Sequence, residues 1–76
     1  MTVGVENLAA PQGLDLALAL RQQLPERPEV RWVDDVDYAN RQIVVVVDPT
    51  VFNRRAGRSA LVAAVAKIEE HYSAGP

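Results

Sequence analysis

The sequence has no cysteine. Disulfides, thiolate metal sites and cysteine nucleophiles are therefore excluded. It has one histidine, His71, so a histidine cluster is excluded too. No apolar run approaches the roughly 18 residues that a membrane helix needs. The N-terminus lacks a basic start followed by an apolar core, so no signal peptide is expected and a cytosolic location is. Positive charge is not in excess: 8 Lys and Arg stand against 10 Asp and Glu, for a net charge of −2. Nucleic-acid binding usually needs a concentrated basic face, so that class of partner is disfavoured. Arg54, Arg55 and Arg58 form a small basic cluster, better read as a solvated loop before a helix than as a phosphate site.

What is present fits a small folded unit. Seventy-six residues allow one domain, residues 1–76. A chain of this size buries roughly 60% of its unfolded surface, so modest stability is expected. Apolar residues make up 49% of the chain, which argues against disorder. No repeat or low-complexity segment is visible.

The chain then divides into elements. Thr2–Glu6 alternates as a short strand, and Asn7–Gly13 reads as a turn punctuated by Pro11 and Gly13. Leu16, Leu20 and Leu24 recur at steps of four, which predicts a helix over Leu14–Leu24. Pro25 and Pro28 stop it. Glu29–Val36 predicts a second strand and Arg41–Val47 a third. Their closeness in sequence predicts an antiparallel hairpin, with a polar turn among Asp34, Asp35, Asp37 and Asn40. Asp48-Pro49-Thr50 ends the third strand, because proline cannot continue a ladder. Val51–Gly57 is ambiguous between loop and helical turn. Ser59 is a reasonable N-cap for a second helix, Ala60–Tyr72. Ser73–Pro76 reads as a frayed tail. The order β-α-β-β-α predicts a ferredoxin-like α+β sandwich: an antiparallel sheet with two helices on one face and the usual fourth strand missing or very short.

With that layout in view, several stretches resemble the heavy-metal-associated domains of copper and zinc ATPases and metallochaperones. Val30-Arg31-Trp32-Val33 is similar to the family's second strand, and Val45-Val46-Val47-Asp48-Pro49 to its third. Ile68-Glu69-Glu70-His71-Tyr72 is similar to the end of its second helix. Leu24-Pro25 can be laid on the family's Leu-Pro at the end of the first helix. Asn7–Gly13 then falls on its metal-binding loop, Leu8 on its buried methionine, and Ala10 and Gly13 on the two cysteines. The likeness spans residues 3–72. With both cysteines absent, thiolate metal transfer is not inherited. The pattern is closer to cysteine-less versions near the N-termini of actinobacterial P-type cation ATPases. The resemblance implies a regulatory or docking domain of a transporter, or a free-standing relative.

Catalytic equipment is scarce. His71 has Glu69 and Glu70 beside it, but acids at i−1 and i−2 do not share its helix face. A histidine answering the dipole of a helix C-terminus explains it better than a metal ligand does. Asp34, Asp35, Asp37 and Asn40 lack the glycine and terminal glutamate of an EF-hand loop, so a solvated turn is the better reading. Ser59 and His71 are too far apart along one helix to act as nucleophile and base. Asp15 suits the helix dipole, and Gly57 belongs to no phosphate-binding fingerprint. Neither an enzyme nor a cofactor is expected.

One stretch points to a surface. Ile43-Val44-Val45-Val46-Val47 makes both faces of a strand apolar. By the family register Val45 and Val47 should face the helices, leaving Val44 and Val46 on the open face. Trp32 would join them if the neighbouring strand has the right register. This surface, or the bare edge beside the first strand, predicts contact with another protein, another domain of a transporter or a second copy. A metal site built from oxygen and nitrogen donors is the alternative.

Overall fold

The computed structural model describes residues 1–53 and 55–72. The tail Ser73–Pro76, and Arg54 from the basic cluster, lie outside the described residues. Three strands form one antiparallel sheet: β1 (Thr2–Gly4), β2 (Val30–Asp37) and β3 (Gln42–Val47), in the order β1-β3-β2. Helix α1 (Gly13–Gln23) links β1 to β2, and helix α2 (Ala56–Glu70) follows β3. Short 3-10 turns at Glu6–Ala9 and Leu24–Glu26 flank α1. The result is a small α+β domain, compatible with a ferredoxin-like layout.

The core sits between the helices and one sheet face. Val3, Val33, Ile43 and Val45 from the sheet pack with Leu16 and Leu20 of α1 and Leu61 and Val65 of α2, all buried. Both helices therefore cover the same side. The leucine spacing of four in α1 is what aligns Leu16, Leu20 and, one turn on, Leu24 into that layer.

The boundaries depart from expectation where side chains compete with regular structure. β1 ends at Gly4 rather than Glu6, and Glu6 opens a 3-10 turn. Helix α2 starts at Ala56, so Ser59 is an exposed residue of its first turns rather than its N-cap. Asn53 does the capping instead: its Oδ1 accepts from the N–H groups of Arg55 (3.1 Å) and Ala56 (3.2 Å). The ambiguous stretch before it is tied down by Asp48. Its carbonyl accepts from the N–H groups of Val51 and Phe52, and its carboxylate accepts from Thr50 N–H and Oγ1.

The hairpin turns through Tyr38–Arg41, where Arg41 takes a left-handed φ of 52°. Asp37 stabilises that turn by accepting from both the N–H (3.1 Å) and the Nδ2 (2.7 Å) of Asn40.

Candidate functional site

Strand β2 has a pattern that simple alternation does not explain. Its core residues Val30, Val33 and Val36 are spaced by three, whereas a regular strand repeats every two. The ladder shows why. The register slips between Val30 and Trp32 and again between Val33 and Asp35. At each slip β2 spends two residues against one of β3, which marks bulges at Arg31 and Asp34. The bulges let three-spaced valines reach one face. They also fix what the opposite face carries.

On that open face the residues stand in cross-strand rows. Trp32 lies opposite Val46. Thr2, Val44 and Asp35 form the next row, and Gly4, Gln42 and Asp37 the one after. The face thus runs from apolar at the Trp32–Val46 end to acidic at the Asp35–Asp37 end. Val44 and Val46 are half-buried, while Ile43 and Val45 beside them are fully buried on the other side. Trp32 remains 49% exposed, and no element covers it among the described residues. Its Nε1–H donates to Asp34 Oδ1 at 3.3 Å, which draws a third acid to the rim. Trp32, Val44 and Val46 are therefore brought together on one surface, and Asp34, Asp35 and Asp37 border it. The hydrogen bonds from the Asn40 side chain and backbone hold the Asp37 carboxyl below the ordinary aspartate range, so that rim residue keeps its charge.

The other sequence candidates are scattered. Asp37 pairs with Asn40 and Asp34 with Trp32, and among the described residues no three of His, Cys, Asp and Glu gather to hold a metal ion. His71 is exposed just past the last residue of α2. With Lys67 it lines a cavity of about 310 Å³ over Leu24, Ala64 and Ile68, with Arg27 beside them. That cavity lies between the C-terminal ends of α1 and α2. Cations there answer the two helix dipoles, and an anion would meet unfavourable carbonyls.

The loop matched to a metal site by resemblance is shaped by packing. Gly13 N–H donates to the Ala10 carbonyl at 2.9 Å, and a Cβ on Gly13 would stand 2.1 Å from the Leu8 carbonyl oxygen. Leu8 itself is buried in the core. A cysteine at position 13 has no room on this backbone.

Two features were not foreseen in the sequence. Glu69 Oε2 accepts from the Asn7 N–H at 2.8 Å, tying α2 to the 3-10 turn after β1. Glu29 is buried to 8% exposure and pairs with Arg27. The first is invisible as a local pattern because it joins residues 62 apart; Arg27 and Glu29 stand two residues apart, and it is the burial of Glu29 that the sequence does not announce.

No family model matches the sequence, and comparisons with curated proteins and with solved structures return no match. Among the described residues no helix is long and apolar enough to cross a membrane.

Proposed function

We propose that this chain is a non-catalytic docking domain that receives a protein partner on its open sheet face. The observation that carries this is the half-exposed Trp32 set directly against Val46, with Val44 in the adjoining row. Tryptophan supplies large contact area at low entropic cost and is the residue most often found at interface hot spots. The rim of Asp34, Asp35 and Asp37 selects the partner's chemistry: an apolar centre flanked by lysine or arginine at one end. A second copy brings the same acids and no lysine or arginine on this face to meet them, so a partner with a basic end suits the surface better.

The finer reading is a cytosolic regulatory domain of a P-type cation ATPase, similar to a heavy-metal-associated domain without its thiols. It is supported by the sheet order β1-β3-β2 with both helices on one side, the order a ferredoxin-like domain has when its fourth strand is absent. Among the described residues no donor set favours a non-thiol metal site.

The test is a photo-crosslinking residue in place of Trp32, introduced in the organism that encodes the chain, with adducts identified by mass spectrometry. The expected adduct is a cytosolic segment of a transporter, lost when Val46→Lys is added. Sedimentation from about 5 µM to 1 mM, a span that covers weak association, should show a monomer. Adducts between copies only, with a dimer in sedimentation, would replace this reading by a homo-oligomeric module. No adduct from Trp32 or from a second label at Val44 would end the docking reading.

A further inference from the structure

The bulges that turn Val30, Val33 and Val36 towards the core leave residues exposed in pairs between them: Arg31 with Trp32, and Asp34 with Asp35. Three carboxylates, Asp34, Asp35 and Asp37, therefore gather at the hairpin end of β2. Arg31, the one cation of that strand, reaches the other way, to Asp48 at 3.9 Å beyond the end of β3. On the β1 side the face carries Thr2 and Gly4, and nothing lies within 4 Å of a Cβ position on Gly4. The apolar part is thus a stripe of Trp32, Val46 and Val44, low on its β1 side, that leads into carboxylates.

The β2 edge beside this stripe is closed. Val45 gives its N–H and its carbonyl to Met1 on the β1 side. Val33, opposite Val45, is therefore a non-bonded position whose carbonyl points away from β3. Arg21 of α1 donates its Nη1 to that carbonyl at 3.1 Å. An extended segment approaching the edge finds the central carbonyl of β2 already taken. One lying flat on the valines has no partner for its own amides. A stacked sheet needs apolar residues across all the strands, where β1 offers Thr2 and Gly4. A helix satisfies its backbone internally, and at roughly 10 Å across it covers three strands spaced about 4.8 Å apart.

We infer that the partner element received by this face is a single amphipathic α-helix lying along β3, apolar where it meets Trp32, Val46 and Val44 and basic where it meets Asp35 and Asp37. The inference rests on the docking reading and adds the form of the occupant. Successive rows along β3 are about 6.8 Å apart. Four helical residues rise about 6 Å. Apolar residues at i and i+4 therefore match the Val46 and Val44 rows, and lysine or arginine at i+7 and i+8 reaches Asp35 and Asp37. Helix α1 of a second copy carries part of this pattern, since Leu14 and Leu18 are exposed at that spacing. It lacks the free basic end, because Arg21 is committed to Val33 and Asp15 stands beside the leucines.

The probe is a short stapled helical peptide with leucine at i and i+4 and arginine at i+7 and i+8, added to the isotope-labelled chain. Its control has the same composition with the arginines moved to the opposite helix face. The probe should shift Thr2, Gln42, Val44 and Val46 and change Trp32 fluorescence, and the control should bind about fivefold more weakly. Asp35→Asn, at an exposed side chain, should also weaken the probe by about fivefold with circular dichroism unchanged. If that variant loses the fold, salt decides: about 1 M should weaken the probe to a similar extent. The inference is overturned if probe and control bind equally, or if neither shifts the open face at millimolar concentration. Capture from Trp32 separates it from the docking reading. An adduct that maps to a strand or an extended segment ends the helix and leaves the docking face standing, whereas no adduct ends both. Open-ended growth in sedimentation, abolished by Leu18→Lys, would make the helix α1 of a second copy and overturn the partner assigned here.

Discussion

Gly13 opens α1 directly against the carbonyl of Leu8, with no space for a side chain between them: a Cβ there would lie 2.1 Å from the oxygen. Both partners are backbone, in a 3-10 turn anchored by the buried Leu8 and in a helix start, so neither yields cheaply. Gly13→Ala should cost on the order of 3 kcal/mol, as severe overpacking does. Gly4→Ala is the control. Nothing lies within 4 Å of its Cβ position, and it sits in a strand, where glycine is entropically unfavourable. It should be neutral or stabilise by up to about 1 kcal/mol. Urea unfolding of both variants checks this. Equal effects would mean that the loop at Asn7–Gly13 adapts, and a cysteine at position 13 would then be admissible after all.

Glu69 and Asn7 join the two ends of the chain. The Asn7 N–H is part-buried and finds its acceptor in a side chain 62 residues away. Glu69→Ala leaves that donor without a partner and should cost about 1–2 kcal/mol. Glu69→Gln keeps an acceptor oxygen and should restore most of the loss. If the two variants are equally destabilised, the charge rather than the hydrogen bond is what matters.

The rows on the open face make a sharp prediction for β3. Ile43 and Val45 are fully buried against the helices, and Val44 and Val46 face outward. Val45→Lys should unfold the domain, because a desolvated charge costs several kcal/mol, a large share of a small domain's stability. Val44→Lys and Val46→Lys should stay folded, with losses of about 1 kcal/mol or less from the cross-strand contacts. Thermal melts of the three variants test the register one residue at a time. Unfolding by Val46→Lys would put that valine in the core and remove the basis of the docking face.

Much of this was legible because hydrophobic spacing is a local property. The step of four in Leu16, Leu20 and Leu24 places α1, and the run Ile43–Val47 places β3 with its inward and outward sets. Val30, Val33 and Val36 carried a further signal: a period of three inside a strand implies bulges, and reading it so would have fixed Trp32 on the open face. The start of α2 was misread because Ser59 is a good capping residue by type, whereas Asn53, held by the Asp48 turn, is in position to act first. The Glu69–Asn7 bond arises only when the elements dock, so no window of sequence contains it.

Glu29 links stability to pH. Burial alone would raise its carboxyl, but the hydrogen bond from its own backbone N–H, then the Arg27 hydrogen bond and charge, outweigh this and hold it below the ordinary glutamate value. The folded state therefore favours the ionised carboxylate more than the unfolded state does. The resulting stability is fully present above the unfolded value of about pH 4.3 and is lost as pH falls through the lower folded value. Asp37 and Asp48 are also lowered, by Asn40 and by Thr50 respectively, so acid weakens the domain through several groups together. Glu29→Gln isolates one of them. The urea midpoint of this variant should fall clearly below wild type at pH 7, and the gap should narrow at a pH below the unfolded glutamate value. A gap of the same size at both pH values would mean that Glu29 acts through packing and neutral hydrogen bonds, and that its ionisation adds nothing to the fold.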